Sequence, residues 1–576
     1  MPGQASERST IEPADLVFVN GSFYTVDPSL PRASAVAIRA GRIVAVGDDA
    51  TVQDLRGRRT ETIDLRGRTL LPGFQDAHAH PSTAGLERGS CDLSGLHDRR
   101  DYLAHLAQYA ATHQGLAWIS GGGWAMDAFP EGIPTKEDLD SVVPDRPVFL
   151  RSRDGHSAWV NSLALDHAGL DPSSADPHDG RIERTASGQL VGTLQESAMD
   201  LVRHLVPLPT VSEIAAALLD AQRELHRLGI TAWQEAGVGP RPGRPDCFDA
   251  YRALDASGEL TGKVIGALWW ARDVGERQLD DLLTRREEAS GGSRFVAGTV
   301  KFMQDGICEN FTAAMLTPYL DRAGLETHNC GKSFFEPDEL ASYVTLVDAH
   351  GFQAHFHAIG DRAVREALDA VDAARSANGW SDGRHCAAHI QVVHPADLPR
   401  FATLGVVANG QPLWAQSDQQ MTDLTMPFLG PERSSWQYPF KSLLMSGARL
   451  CFGSDWPVST PDVLAQIHVA VHRTAPPGEV EGSDTELVPF LPDERLDLET
   501  ALRAFTLGSA YVNHLDAETG SITVGKRADL VVLDRDVVAA PASHIGEVRV
   551  DLTVADGVVV HRREEPRADV VTNRTW

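Results

Sequence analysis

The chain has 576 residues with 52 Lys+Arg against 80 Asp+Glu, a formal net charge of −28. Such an acidic surplus excludes nucleic acid and anionic membrane surfaces as principal partners, since both would repel it. The length exceeds what one ordinary core needs and points to a large domain with a smaller one. Apolar and charged shares of 42% and 23% are those of a soluble globular protein.

Residues 1 to about 12 read as a polar tail without an apolar signal core, and no apolar run approaches the length of a membrane span. Six cysteines (Cys91, Cys247, Cys308, Cys330, Cys386, Cys451) are scattered without paired spacing. Reduced thiols and a cytoplasmic location are expected. Asp15–Tyr24 predicts a hairpin around Asn20-Gly21, Ala35–Gly47 a second around Ala40-Gly41, and Glu61–Asp64 a further strand. The far end mirrors this, with a strand over Asp529–Asp534 and a hairpin around Asp556-Gly557. Residues 1–69 and 516–576 are therefore expected to form one small β-sandwich domain from both termini.

Between them, residues 70–515 alternate strands with helical stretches, the pattern of a parallel α/β fold. The first strand is the run Leu70-Leu71-Pro72-Gly73-Phe74-Gln75-Asp76-Ala77-His78-Ala79-His80. A segment over about 83–225 breaks the rhythm and reads as an insertion after that strand. Seven more strands follow at Ile230–Glu235, Lys263–Trp269, Thr299–Gln304, Gly351–His357, Cys386–Val393, Val406–Pro412 and Arg449–Asp455. Eight strands is the count of a (β/α)₈ barrel, whose active site lies at the C-terminal strand ends.

Those ends carry the chemistry. His78 and His80 alternate on the first strand and so point to one face, a ready site for a borderline metal. Lys301 lies on the fourth strand, His355 and His357 on the fifth, His389 on the sixth, and Asp455 ends the eighth. In a barrel all would converge on one mouth. Lys301 could instead pair with Asp305, leaving a single metal, and His355 rivals His357 as ligand. In the insertion, His156 and Asn161 could contact substrate or only hold a loop. Trp124 could be a pocket wall or core. Glu196 and Glu235 have no assigned role.

The stretches LLPGFQDAHAH, DGHSAWVNSLAL, VKFMQDG with TAAMLTPY, HAIGDRAV and GSDWPV resemble amidohydrolase family 3 of the amidohydrolase superfamily, over about residues 15–560. The resemblance implies a TIM-like barrel and a homodimer. It also implies that His78, His80 and Asp455 bind one metal and His357 and His389 a second, with a carboxylated Lys301 bridging them. Zn²⁺ is the ion implied, two per chain or one. Relatives usually carry Glu before the sixth-strand histidine, where this chain has Ala388, which puts a supporting contact in doubt rather than the ligand.

The reaction expected is hydrolysis of a carbon–nitrogen bond in a small, non-peptide amide by metal-activated water, with Asp455 as proton carrier. The resemblance implies the substrate: a small acyl group such as formyl, as in an N-substituted formamide, on an amine carrying a larger apolar group. Trp124, His156 and His355 are the candidate substrate contacts. A cyclic amide, imide or carbamate is the alternative substrate, and a non-catalytic binding protein on the same barrel is the other class.

Overall fold

The computed structural model describes residues 12–241, 243–477, 488–539 and 542–564. The tail expected over residues 1–11 lies outside them. Eight parallel strands form one sheet, in the spatial order of the chain, from Phe74–Ala79 through Ile230–Val238, Lys263–Trp269, Phe295–Met303, Gln353–Ala358, Cys386–His389 and Val407–Gly410 to Leu450–Phe452. These are called the first to eighth barrel strands. Backbone bonds draw the first and eighth together just past their ends: Asp455 N–H donates to the His78 carbonyl and His80 N–H to that of Trp456, both at 2.7 Å.

Two features depart from the expected strands. Leu70–His80 is not one strand: Thr69–Pro72 belongs to the terminal β-domain, Gly73 breaks the run, and Phe74 starts the barrel. The eighth strand stops at Phe452, so Asp455 stands on the following turn with φ +55°.

Strands from both termini build two facing sheets. One has four strands, all from residues 16–64. The other has six, and places Leu530–Leu533 beside Thr69–Pro72. Phe18, Ile38, Leu70, Leu530, Val532, Leu552 and Val554 are buried between them. The expected hairpins at Ala40-Gly41 and Asp556-Gly557 form, with both residues of each turn at positive φ as a two-residue hairpin demands. The one expected at Asn20-Gly21 does not. Leu16–Val19 and Ser22–Tyr24 enter different sheets, so this turn carries the chain across the sandwich.

The insertion is a six-stranded sheet running from Cys91–Asp92 to Leu190–Glu196, with its own core around Trp124, Phe129 and Trp159. It ends earlier than expected. Helix Val211–Arg227 buries Ile214, Leu218, Ala221 and Leu225 in the barrel core, as the crossover to the second strand. No helix among the described residues is long and apolar enough to cross a membrane.

Removing residues from 525 onward would strip Leu530–Leu533 from Thr69–Pro72 and uncover the sandwich core. Each such side chain contributes roughly 1.5–3 kcal/mol by burial, against a typical total of about 5–15 kcal/mol. The truncated chain is expected to be insoluble. A soluble fraction with unchanged circular dichroism would contradict a shared terminal domain.

Candidate metal centre

Strand register sets the depth of each side chain in the barrel. Lys301 pairs with His355, Met303 with His357, and Ala358 with His389. His357 and His389 therefore sit nearer the mouth, and Lys301 and His355 lie deeper. His78, His80, Lys301, His357, His389 and Asp455 all line one cavity of about 1630 Å³.

The six groups face one another closely. Nε2 of His78 and of His80 lie 3.3 and 3.2 Å from Oδ1 of Asp455. The His389 ring is 4.7 Å from that of His78 and 4.4 Å from that of His357. One ligand atom each from His78, His389 and Asp455 lie within 4.8 Å of one another. Two polar atoms there are buried without a well-aligned hydrogen bond among the described residues: His389 Nε2 and Asp455 Oδ1, the latter despite its approach to the His78 and His80 rings. Buried orphans are costly, and these two are a nitrogen lone pair and a carboxylate oxygen, the donors a divalent ion takes. The residues present fit a metal.

The other edges of the imidazoles are held in place. His357 Nδ1 lies 3.1 Å from Asp305, His389 Nδ1 3.1 Å from the Gln411 side-chain oxygen, and His78 Nδ1 2.7 Å from His355 Nε2. Such partners fix ring orientation and leave the opposite nitrogen for a ligand bond. The His389 ring also stacks on Trp414, 5.3 Å between centroids. Asp305 receives the backbone N–H groups of Ala314, Ile359 and Gly360 besides His357, so it is not the Lys301 partner that the sequence allowed.

Burial dominates the electrostatics. It pushes His78, His355, His357 and His389 well below the usual histidine range and His80 to about 4, so all are neutral near pH 7 and able to ligate. Burial likewise brings Lys301 down to about 7. No carboxylate lies within ion-pair distance of its Nζ among the described residues. Burial works to raise Asp455, but the hydrogen bond from the His80 imidazole and the electrostatic pull of His389, His80 and Lys301 prevail and hold the carboxyl below its ordinary value.

Asp455 depends on a close approach. A Cβ on Gly453 would stand 2.5 Å from the His78 backbone nitrogen, so only glycine lets the eighth strand meet the first here. Asp76 secures the contact by accepting from the backbone N–H groups of His78 and Ser454 and from the Ser454 hydroxyl.

The expected substrate contacts divide. His156 lines the cavity, its ring 5.3 Å from that of His357. Its Nδ1 binds the Glu196 carboxylate at 2.9 Å, and Glu196 also accepts from Thr312 and Asn310. Burial opposes a charged His156, yet Glu196 raises it above the usual value. Trp124 does not reach the cavity. Its ring is fully buried against Phe129 and Trp159, and its Nε1–H donates to the Leu150 carbonyl. His355 does not reach it either, being fully buried beneath His78. Asn161 caps helix Ser162–His167 and ties the loop before it. Sequence reasoning missed Gln411, the His357 partner role of Asp305 and the His156 partner role of Glu196. The last two lie in the motifs QDG and LQES, with nothing local to mark them.

If His389 Nε2 is a ligand atom, His389→Ala should weaken the affinity of the purified protein for Zn²⁺ by at least about 10-fold. Gln411→Leu, which frees the ring, should weaken it by about 10- to 100-fold. Competition titration against a chromogenic chelator measures both. Unchanged affinity in His389→Ala would remove that residue from the centre.

Comparisons agree with this reading. A profile of the amidohydrolase family matches residues 61–561. The chain is 33% identical over 527 residues to protein LONG AFTER FAR-RED 3 of Arabidopsis thaliana, covering 90% of this chain and 87% of that one. It is 28% identical to an N-substituted formamide deformylase of Arthrobacter pascens, covering 95% and 98%. A solved metal-dependent hydrolase of Pyrococcus furiosus, uncharacterized by its description, superposes with a TM-score of 0.67 at 28% identity over 90% of this chain and 99% of that one. With its eight-stranded barrel and a centre suited to a divalent metal, the chain belongs to the amidohydrolase family, and it is a hydrolase.

Proposed function

We propose that this hydrolase cleaves the carbon–nitrogen bond of a small non-peptide amide, an N-substituted formamide in class. The observation that carries the reading is the convergence of four neutral imidazoles, a desolvated lysine and an ionised aspartate on one cavity. The 28% identity to an N-substituted formamide deformylase over nearly the whole of both chains supports the amide class.

His78, His80 and Asp455 would hold one ion, and His357 and His389 a second, with zinc matching the imidazole-rich donor set. Lys301, brought near neutrality by burial, is suited to take up CO₂ as a carbamate and so to offer oxygens to both ions. When bound, the metal supplies Lewis acidity and lowers the pKa of water.

The chain's own groups then perform the proton transfers. Asp455 is ionised and lies beside the imidazoles, so it takes the proton that the attacking water loses and delivers it to the departing nitrogen. His156, charged through its bond to Glu196, presents its Nε2 edge to the cavity. There it donates to the oxygen of the substrate carbonyl, where negative charge grows.

Asp455→Asn keeps the shape but not the proton acceptor. Because general acid–base assistance is typically worth roughly 10²–10⁴-fold, kcat on N-benzylformamide should fall by at least about 10²-fold. Equal rates for variant and wild type would end the proton-carrier role. If wild type opens a cyclic imide such as succinimide and leaves N-benzylformamide intact, the substrate class is wrong while the chemistry stands.

Lys301→Ala should lose most activity and regain part of it with millimolar acetate or propionate, which replace the carbamate oxygens. A fully active Lys301→Ala variant would contradict the bridging role and favour one ion.

A further inference from the structure

Seven arginines line the cavity of this chain of net charge −28, interspersed with its acidic groups. Most of its arginines are neutralised in place: Arg151 by Glu87 at 2.6 Å, Arg203 by Asp200 at 2.9 Å, and Arg272 by Asp179 at 2.5 Å. Arg153, Arg241 and Arg244 have no such partner among the described residues, and the last two share one loop. Both line the cavity and are half-buried, and neither has a carboxylate within ion-pair distance among the described residues.

Their placement is built. Arg244 N–H donates to the Arg241 carbonyl at 3.1 Å on the loop after the second barrel strand. Between them Gly243, at φ +58°, lies against Arg203. A Cβ there would come within 2.5 Å of the Arg203 Cγ. The Arg241 guanidinium is fixed over the Trp269 ring at 4.8 Å and donates from Nη2 to the Gly237 carbonyl at 2.7 Å. Its Nε is buried with no partner. The positive charge of Arg241 reaches His80 and Lys301, so it stands within electrostatic range of the reacting centre. Arg244 feels the charges of Arg203 and Arg241, and keeping such cations partly desolvated is costly unless an anion accompanies them.

We propose that Arg241 and Arg244 form an anion subsite that takes a carboxylate borne by the amine half of the substrate. The guanidinium fork matches the planar, two-oxygen shape of a carboxylate. The subsite shares the cavity with the metal centre and is fixed on the barrel. A molecule with its amide at His156 and Asp455 and its acid at Arg241 would span one continuous space. The identification of the bound molecule as a substrate rests on the amide-hydrolase reading above. The subsite itself does not.

Two measurements separate these claims. The first is calorimetric titration of zinc-loaded, full-length protein with phenylmethanesulfonate and with benzyl methyl sulfone, its uncharged counterpart. A sulfonate is a poor metal ligand, so the difference reports on the arginines. Wild type should prefer the sulfonate by about 10- to 100-fold, as charge-assisted hydrogen bonds allow. Arg241→Gln with Arg244→Gln should abolish the preference, and Arg241→Lys with Arg244→Lys should keep part of it, both with unchanged melting temperature and metal content. Equal affinities in wild type, no saturable sulfonate binding, or a preference that survives the glutamine pair would overturn the subsite.

The second compares kcat/KM for N-(4-carboxybenzyl)formamide and N-benzylformamide. A preference for the acid that disappears in the glutamine pair supports both claims. Equal kcat/KM values, unchanged in that variant, overturn the subsite and leave the reaction standing. Hydrolysis of neither, with the sulfonate preference intact, overturns the reaction and leaves the subsite standing.

Discussion

Asp76 sits fully buried at the seam where the barrel closes, accepting hydrogen bonds from the His78 and Ser454 backbones and from the Ser454 hydroxyl. Burial raises its carboxyl to about 7, and the three donors offset part of the cost of keeping it there. What this contact achieves is registration. His78 and His80 come from one end of the barrel's chain and Asp455 from the other, and they meet only if these two strands are locked to within a fraction of an ångström. The absence of a side chain on Gly453 permits the approach, and the exchange between Asp455 N–H and the His78 carbonyl completes it. Asp455 and His389 both occupy left-handed backbone conformations, at φ +55° and +76°. Such strain persists where the surrounding structure over-determines a functional position.

The same burial that makes the seam rigid prepares the centre. In water, histidines near pH 6.5 would be partly charged and would repel one another and a cation. Here desolvation keeps them neutral, and partners on their far edges orient them. The centre is thus a set of imidazoles held at short range with their far edges turned to Asp305, Gln411 and His355. Arg241 and Arg244 line the same cavity on the loop after the second barrel strand, so a basic group stands within electrostatic range of the imidazoles.

Much of this was legible in the chain. Period-two alternation and turn residues located all eight barrel strands to within a few residues, and reading the last residues of each gave the six converging groups. Failures have physical causes. Alternation placed His355 and His357 on one face but could not give depth, and in a barrel two residues along a strand is a different layer, so His355 underlies His78. A tryptophan in a Gly-rich strand packs equally well as wall or core, and Trp124 is core. Asn20-Gly21 has the chemistry of a hairpin turn, yet the strands on either side find better partners in opposite sheets. Gln411 and Glu196 act only across the fold, with partners 22 and 40 residues away, and no local pattern marks them.

The central claim is that the imidazoles and Asp455 converge because they share a divalent ion. Anomalous diffraction from crystals of the zinc-loaded protein, collected on both sides of the zinc absorption edge, tests it without reference to any substrate. The account predicts strong anomalous density among His78, His80 and Asp455, bonded to Asp455 Oδ1, and, where a second ion is held, density between His357 and His389 at His389 Nε2. No density there, with zinc bound elsewhere on the surface and the imidazoles bonded only to protein carboxylates, would contradict it.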